Sequence, residues 1–162
     1  MIPIVFDYIK QTRLTFSRLL DELSIDEINT IPEGFRNNIG WNFGHIVVST
    51  QGLCYRRTNV QPDREIPFLS AYAKGTVPTR WIGAEELEIL KSQAVETILQ
   101  IEQDYEKGVF TSIAPYTTAT YGLEMDTIAK VITVALAHDN LHLGCASALK
   151  KAVYEQKSQL HK

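Results

Sequence analysis

The chain has 162 residues, 44% of them hydrophobic and 22% charged, and carries a net charge of −3. That length fits a single domain, 1–162, burying roughly two-thirds or more of its unfolded surface, which excludes disorder, collagen-like repeats and a disulfide scaffold. The acidic balance lacks the basic excess that phosphate neutralisation requires, so nucleic acid is not an expected partner.

The opening residues, Met1 to Asp7, have no positively charged lead and no small-residue cleavage site, so no signal peptide is expected. Val5, Ile9, Thr12, Phe16, Leu19 and Leu23 then recur at alternating steps of four and three, the pattern of one helix face. Lys10, Arg13, Arg18 and Asp21 fall on the opposite face. Ser24-Ile-Asp-Glu27 reads as a capping box opening a short helical turn, which Pro32-Glu-Gly34 ends.

A second helix is predicted from Asn37 or Asn38, either a good N-cap, to about Arg57. Its stripe is Trp41, His45, Val48, Gly52 and Tyr55, with both aromatics read as core. Gly44 and Gly52 each cost it roughly 1 kcal/mol against alanine, easier to tolerate where a neighbour packs very close. From Thr58 to Gly83 the pattern dissolves among prolines and glycines, with only Ile66 to Ala73 able to form a short helix. A link of this length is a crossover or a functional loop, and it frees the next helix to run parallel to the last.

The third helix spans Ala84 to Lys107, with Glu85, Glu86 and Glu88 at its positive end and Gly108 as its stop. Leu87, Leu90, Ala94, Ile98, Ile101 and Tyr105 form its buried stripe. A turn-rich link, Val109 to Tyr121, leads to the longest helix, Glu124 to Gln156. There Ile128, Val131, Ala135, His138, His142, Cys145 and Leu149 share a stripe. The most apolar run, Val131 to Ala137, is far short of the roughly 20 residues of a membrane span. No strand-like alternation of useful length occurs, and the fold class is all-α: a four-helix bundle with a long crossover between helices 2 and 3.

His138 and His142 lie one turn apart on one face, a spacing that lets two ring nitrogens reach a single ion. His45 occupies a stripe position on the second helix. Buried imidazoles need partners. A divalent metal would satisfy all three and leave a coordination position open, as in catalytic zinc sites, although nickel, cobalt, iron or manganese would also suit the ligands. The plain alternative is a set of hydrogen-bonded core histidines. His161, in the C-terminal tail, is expected to be solvated. Cys54 and Cys145 belong to no C-x-x-C pair, which fits reduced thiols in a cytoplasm.

Two segments carry a resemblance. Ile39-Gly-Trp-Asn-Phe-Gly-His45-Ile46 is similar to the Trp-x-x-Gly-His signature of the DinB superfamily, and His138-Asp-Asn-Leu-His142-Leu-Gly144 to its His-x-x-x-His-x-Gly signature. The long crossover, with Lys74-Gly75 and Pro78, is similar too, and the resemblance covers essentially the whole chain. It implies a divalent metal, zinc or nickel first, held by His45, His138 and His142, and often a homodimer. It also implies a metal-dependent enzyme using a low-molecular-weight thiol, of thiol S-transferase or hydrolase type, acting on a small molecule. A non-catalytic metal-binding or interaction module with the same bundle is the alternative. Where many relatives carry Gln after the final Gly, this chain has Cys145, which could approach the metal or simply fill core.

On that expectation the metal lowers the pKa of a bound water or thiol, and no Ser or Cys of the protein is needed as nucleophile. The pattern singles out no general acid or base. Asp139 is rotated about 100° from His138 and is expected to face solvent or a neighbouring helix. Asn42, one turn before His45, either orients a ligand or packs as an ordinary polar residue. Tyr72, Lys74 and Arg80 fall in the crossover, where a substrate rim belongs, and the two cations could receive a carboxylate.

Overall fold

The computed structural model describes residues 2–160, so His161 lies outside the described residues. The elements are α1 (Ile2–Asp21), α2 (Ile25–Asn29), α3 (Ile39–Gln51), α4 (Leu69–Tyr72), α5 (Ala84–Glu106), the hairpin strands β1 (Tyr116–Thr117) and β2 (Glu124–Met125), and α6 (Ile128–Leu160). α1, α3, α5 and α6 make the bundle: α1 and α3 each pack against both α5 and α6. Links from Lys10 to Glu102 and from Asp21 to Lys91 make α1 and α5 antiparallel. Links from Arg13 to Asp139 and from Glu22 to Lys150 make α1 and α6 parallel. The start of α3 shares a core with Leu87 and Leu90, whereas Tyr55, beyond its end, bonds Asp104 near the end of α5. The crossover thus delivers α5 parallel to α3, as its length allows. No described helix is long and apolar enough to cross a membrane.

Local chemistry sets the helix ends. Asn38 is the N-cap of α3, its side chain accepting from Trp41 N at 2.7 Å. Ser24 and Glu27 form both bonds of the capping box. Gly108 closes α5 with φ of +76°, letting Val109 N donate to Asp104 O. Four boundaries differ from the periodicity, the simplest being the end of α6, which runs on from Gln156 to Leu160. α6 begins at Ile128 because Glu124 and Met125 pair antiparallel with Thr117 and Tyr116. The second helix ends its α geometry at Gln51 and continues as one π-helical turn, Gly52–Arg56, closed by Arg57 N donating to Gly52 O at 2.9 Å. The short crossover helix covers only Leu69–Tyr72.

The core divides into two apolar clusters. One gathers Phe16, Phe43, Val47, Leu90 and Leu149; the other gathers Phe6, Ile9, Tyr55, Ile98 and Val131. Between them lies a polar layer that the sequence pattern does not anticipate. Arg13, on the face that the periodicity sets opposite the apolar stripe, is 0% exposed. Its guanidinium donates to Asp139 Oδ2 at 2.7 Å, to the carbonyls of Ala94 and Ile46, and to the hydroxyls of Thr97 and Thr50. All five N–H donors of the fork are used, on three different helices. An arginine so satisfied can occupy a core that would otherwise reject its charge.

The burial stripe of α6 is rotated to match. Its fully buried positions are Val131, Ile132, Ala135, Asp139, Ala146, Leu149 and Val153, centred on Asp139. His138 and His142 stand on the shoulder of that stripe and are half-buried, while Cys145 is exposed. Cys145 therefore neither fills core nor joins the histidines. Of the two sides offered to Asp139, the helix-facing one is correct, with α1 as the neighbour.

Candidate metal centre

α3 supplies His45 and α6 supplies His138 and His142, and the antiparallel packing of these helices brings all three together. One ring nitrogen from each lies within 4.8 Å of the others, close enough to share one ion. The ring centroids are 4.5 Å apart for His138 and His142, 4.7 Å for His45 and His142, and 5.1 Å for His45 and His138.

Two of the rings are oriented by the protein. His45 Nδ1 donates to the Tyr72 carbonyl at 2.7 Å, and the Trp41 ring stacks on its face at a centroid distance of 4.6 Å. Trp41 is itself held by Nε1 donating to Thr76 Oγ1. It is a buried aromatic as read, yet it also fixes the plane of a site histidine. His142 Nδ1 donates to Asn42 Oδ1 at 2.7 Å, and Asn42 Nδ2 donates back to the Asn38 carbonyl. Asn42 therefore orients a site residue. In both rings Nδ1 carries the proton and Nε2 keeps its lone pair, the tautomer that binds metal. His138 Nδ1 is buried and has no partner among the described residues.

Burial holds all three imidazoles neutral. Desolvation lowers His138 to about 4, helped by His45 and Arg13, and lowers His142 to about 3, helped by His138 and His45. His45 is lowered by burial and by the Lys74 charge, against the pull of the Tyr72 carbonyl. Three neutral donors in contact, two with oriented lone pairs and one with an orphaned ring nitrogen, fit a borderline cation.

The cluster opens on one side into a cavity of about 190 Å³. His45, Ser49 and His138 line its floor, Gly52, Leu53 and Arg57 come from the π turn and its end, Leu69, Ala73 and Lys74 from the crossover, and Thr118 to Tyr121 from the hairpin loop. Lys74 sits at this rim as its crossover position suggests. Arg80 does not: it forks onto Glu86, which also accepts from the Tyr72 hydroxyl at 2.6 Å. Tyr72 serves the site through its carbonyl instead.

Sequence reasoning missed Arg57, Ser49 and the hairpin loop. Arg57 lies over the Tyr116 ring at 4.9 Å and donates to the Thr117 carbonyl at 3.2 Å, held at the rim without a carboxylate partner among the described residues. Ser49 Oγ stands 3.2 Å from His45 Nε2, and its spacing of four from His45 was the available signal. Cys54 is excluded as a nucleophile, because burial pushes its thiol up to about 12.

A family model of the DinB superfamily matches residues 8–146, a span that contains all three histidines, and the chain belongs to that superfamily. No curated protein matches the sequence.

Proposed function

We propose that this protein is a divalent-metal-dependent enzyme in which His45, His138 and His142 hold zinc or nickel and a small thiol or water is activated for transfer or hydrolysis. The observation that carries the reading is the convergence of three imidazoles beside a cavity that two of them, His45 and His138, line. A purely structural site is closed on all sides, whereas a catalytic one keeps a position for substrate. A bound cation would supply Lewis acidity, bringing the pKa of a coordinated thiol or water toward neutrality.

The chain's own residues have separate tasks in this reading. Asn42 and the Tyr72 carbonyl hold two ligand rings in place. Lys74 and Arg57 put two positive charges and no acidic side chain on the cavity wall, suiting a thiol or conjugate that bears a carboxylate. Leu53, Leu69 and Val134 give it an apolar side that excludes water from the reacting group. Ser49 offers a hydroxyl that can hold a proton beside His45.

The test compares untagged wild-type protein with the His45→Ala/His138→Ala/His142→Ala variant by elemental analysis after incubation with zinc or nickel and desalting. The expected result is close to one ion per wild-type chain and background in the variant. Equal uptake by the two overturns the metal reading. A panel of small thiols with a chromogenic electrophile then separates enzyme from module: the loaded protein should accelerate at least one thiol over the metal-free protein. Metal uptake without any acceleration would favour a non-catalytic module.

A further inference from the structure

The polar layer of the core adjoins the candidate metal centre where Asp139 follows His138 on α6. His138 and Asp139 are neighbours on α6, and each has one buried polar atom without a hydrogen-bond partner among the described residues: His138 Nδ1 and Asp139 Oδ1. These two atoms are 4.0 Å apart. Orphaned buried groups are rare, and here a ring nitrogen and a carboxylate oxygen, each in need of a partner, lie just beyond hydrogen-bond distance of one another. The other carboxylate oxygen is fixed, since Asp139 Oδ2 accepts from Arg13 Nε, and Arg13 is anchored to α3 and α5 as well. Arg13 therefore fixes where the carboxylate stands, and closing the 4.0 Å gap falls to the His138 ring.

His45 and His142 each have an oxygen acceptor for Nδ1, from Tyr72 and Asn42. His138 is the one ring of the three without such an acceptor made. We propose that Asp139 is its positioning residue: Oδ1 accepts a hydrogen bond from His138 Nδ1–H, so that the lone pair of Nε2 is presented to the cation, and Arg13 holds the carboxylate in place for that task. The inference rests on the reading that the three histidines bind metal. A carboxylate behind a metal-bound imidazole fixes its tautomer and raises its basicity, and removing such a partner characteristically weakens metal binding about 10- to 100-fold. The same bundle-spanning arginine thereby ties the rigidity of the core to the geometry of the site.

Zinc affinity by chelator competition, in wild type and Asp139→Asn, is the primary measurement, with helicity of the metal-free proteins measured alongside. About 10- to 100-fold weaker binding is expected in the folded variant. A structural role is separated by repeating the substitution in a His138→Ala background. If Asp139 acts through His138, Asp139→Asn changes affinity little there; an undiminished further loss overturns the inference. Should Asp139→Asn not fold, the wild-type protein supplies the readout through nitrogen-15 imidazole spectra of the zinc-loaded form. A His138 ring protonated at Nδ1 supports the inference, and one protonated at Nε2 overturns it. Wild type that binds no zinc overturns both the metal reading and this inference. Wild type that binds, with Asp139→Asn equally tight, overturns this inference alone.

Discussion

Asn42 carries a role out of proportion to its size, because one amide group serves two elements. Its oxygen accepts from His142 Nδ1 and its nitrogen donates to the carbonyl of the N-cap residue Asn38, so the start of α3 and a ring of the candidate site on α6 are fixed by the same planar group. Asn42→Ala should weaken zinc binding about 10- to 100-fold, because the His142 ring loses its tautomer and its orientation together. Asn42→Asp keeps an acceptor for Nδ1 and should recover most of the loss. Chelator competition measures both. Equal affinity in Asn42→Ala and wild type would show that packing alone holds the ring. At this scale the sequence was legible where residue type and spacing both speak. Three histidines on two helical stripes, with Asn42 one turn from His45, are visible without a structure. Arg13 was not, because a charged residue on an amphipathic helix reads as solvated by default. Only the partners brought by three other helices reveal a buried guanidinium with every donor used.

At the scale of elements, the long crossover matters to the site through its contact with α3. A Cβ built on Gly44 would lie 2.5 to 2.6 Å from three atoms of the Tyr72 ring. α4 therefore rests directly on the α3 backbone, and the Tyr72 carbonyl reaches His45 from that seat. Gly44→Ala should displace α4, destabilise the fold by roughly 1–3 kcal/mol through overpacking, and weaken metal binding along with it. Gly52 is the contrast, having nothing within 4 Å and an ordinary right-handed backbone. Gly52→Ala should leave the thermal midpoint unchanged or raise it. Thermal unfolding of the pair checks the claim, and similar destabilisation by both would contradict it. The expectation of a close neighbour thus holds for Gly44 and fails for Gly52. Periodicity showed the helices, caps and crossover, but it set the phase of α6 by its histidines and aliphatics, placing the stripe to one side of Asp139. It also could not show the π turn, since the extra residue per turn leaves no mark in composition.

For the whole molecule, the cost of keeping three imidazoles neutral inside the bundle appears as a pH dependence of stability. Burial lowers His138 to about 4 and His142 to about 3 from an ordinary 6.5, and lowers His45 as well. The unfolded chain therefore takes up these protons at a higher pH than the folded one. Stability from this source is whole above about 6.5 and is lost progressively as the pH falls toward the folded values. Paired carboxylates such as Glu27 and Glu86, held below an ordinary 4.5, contribute their own loss only at lower pH. The interval from about 6.5 down to about 4.5 thus belongs mainly to the histidines. Asp139 acts in the opposite sense, because burial outweighs Arg13 and raises its pKa, so that the folded state holds that proton more firmly as the pH falls. Metal-free wild type should unfold at lower denaturant at pH 5.0 than at pH 7.5. His138→Leu/His142→Leu, which leaves Asp139 in place, should show a smaller difference between the two. Denaturant midpoints at those two pH values decide the matter: a wild-type midpoint no lower at pH 5.0 would mean that the imidazoles face water rather than the packed bundle.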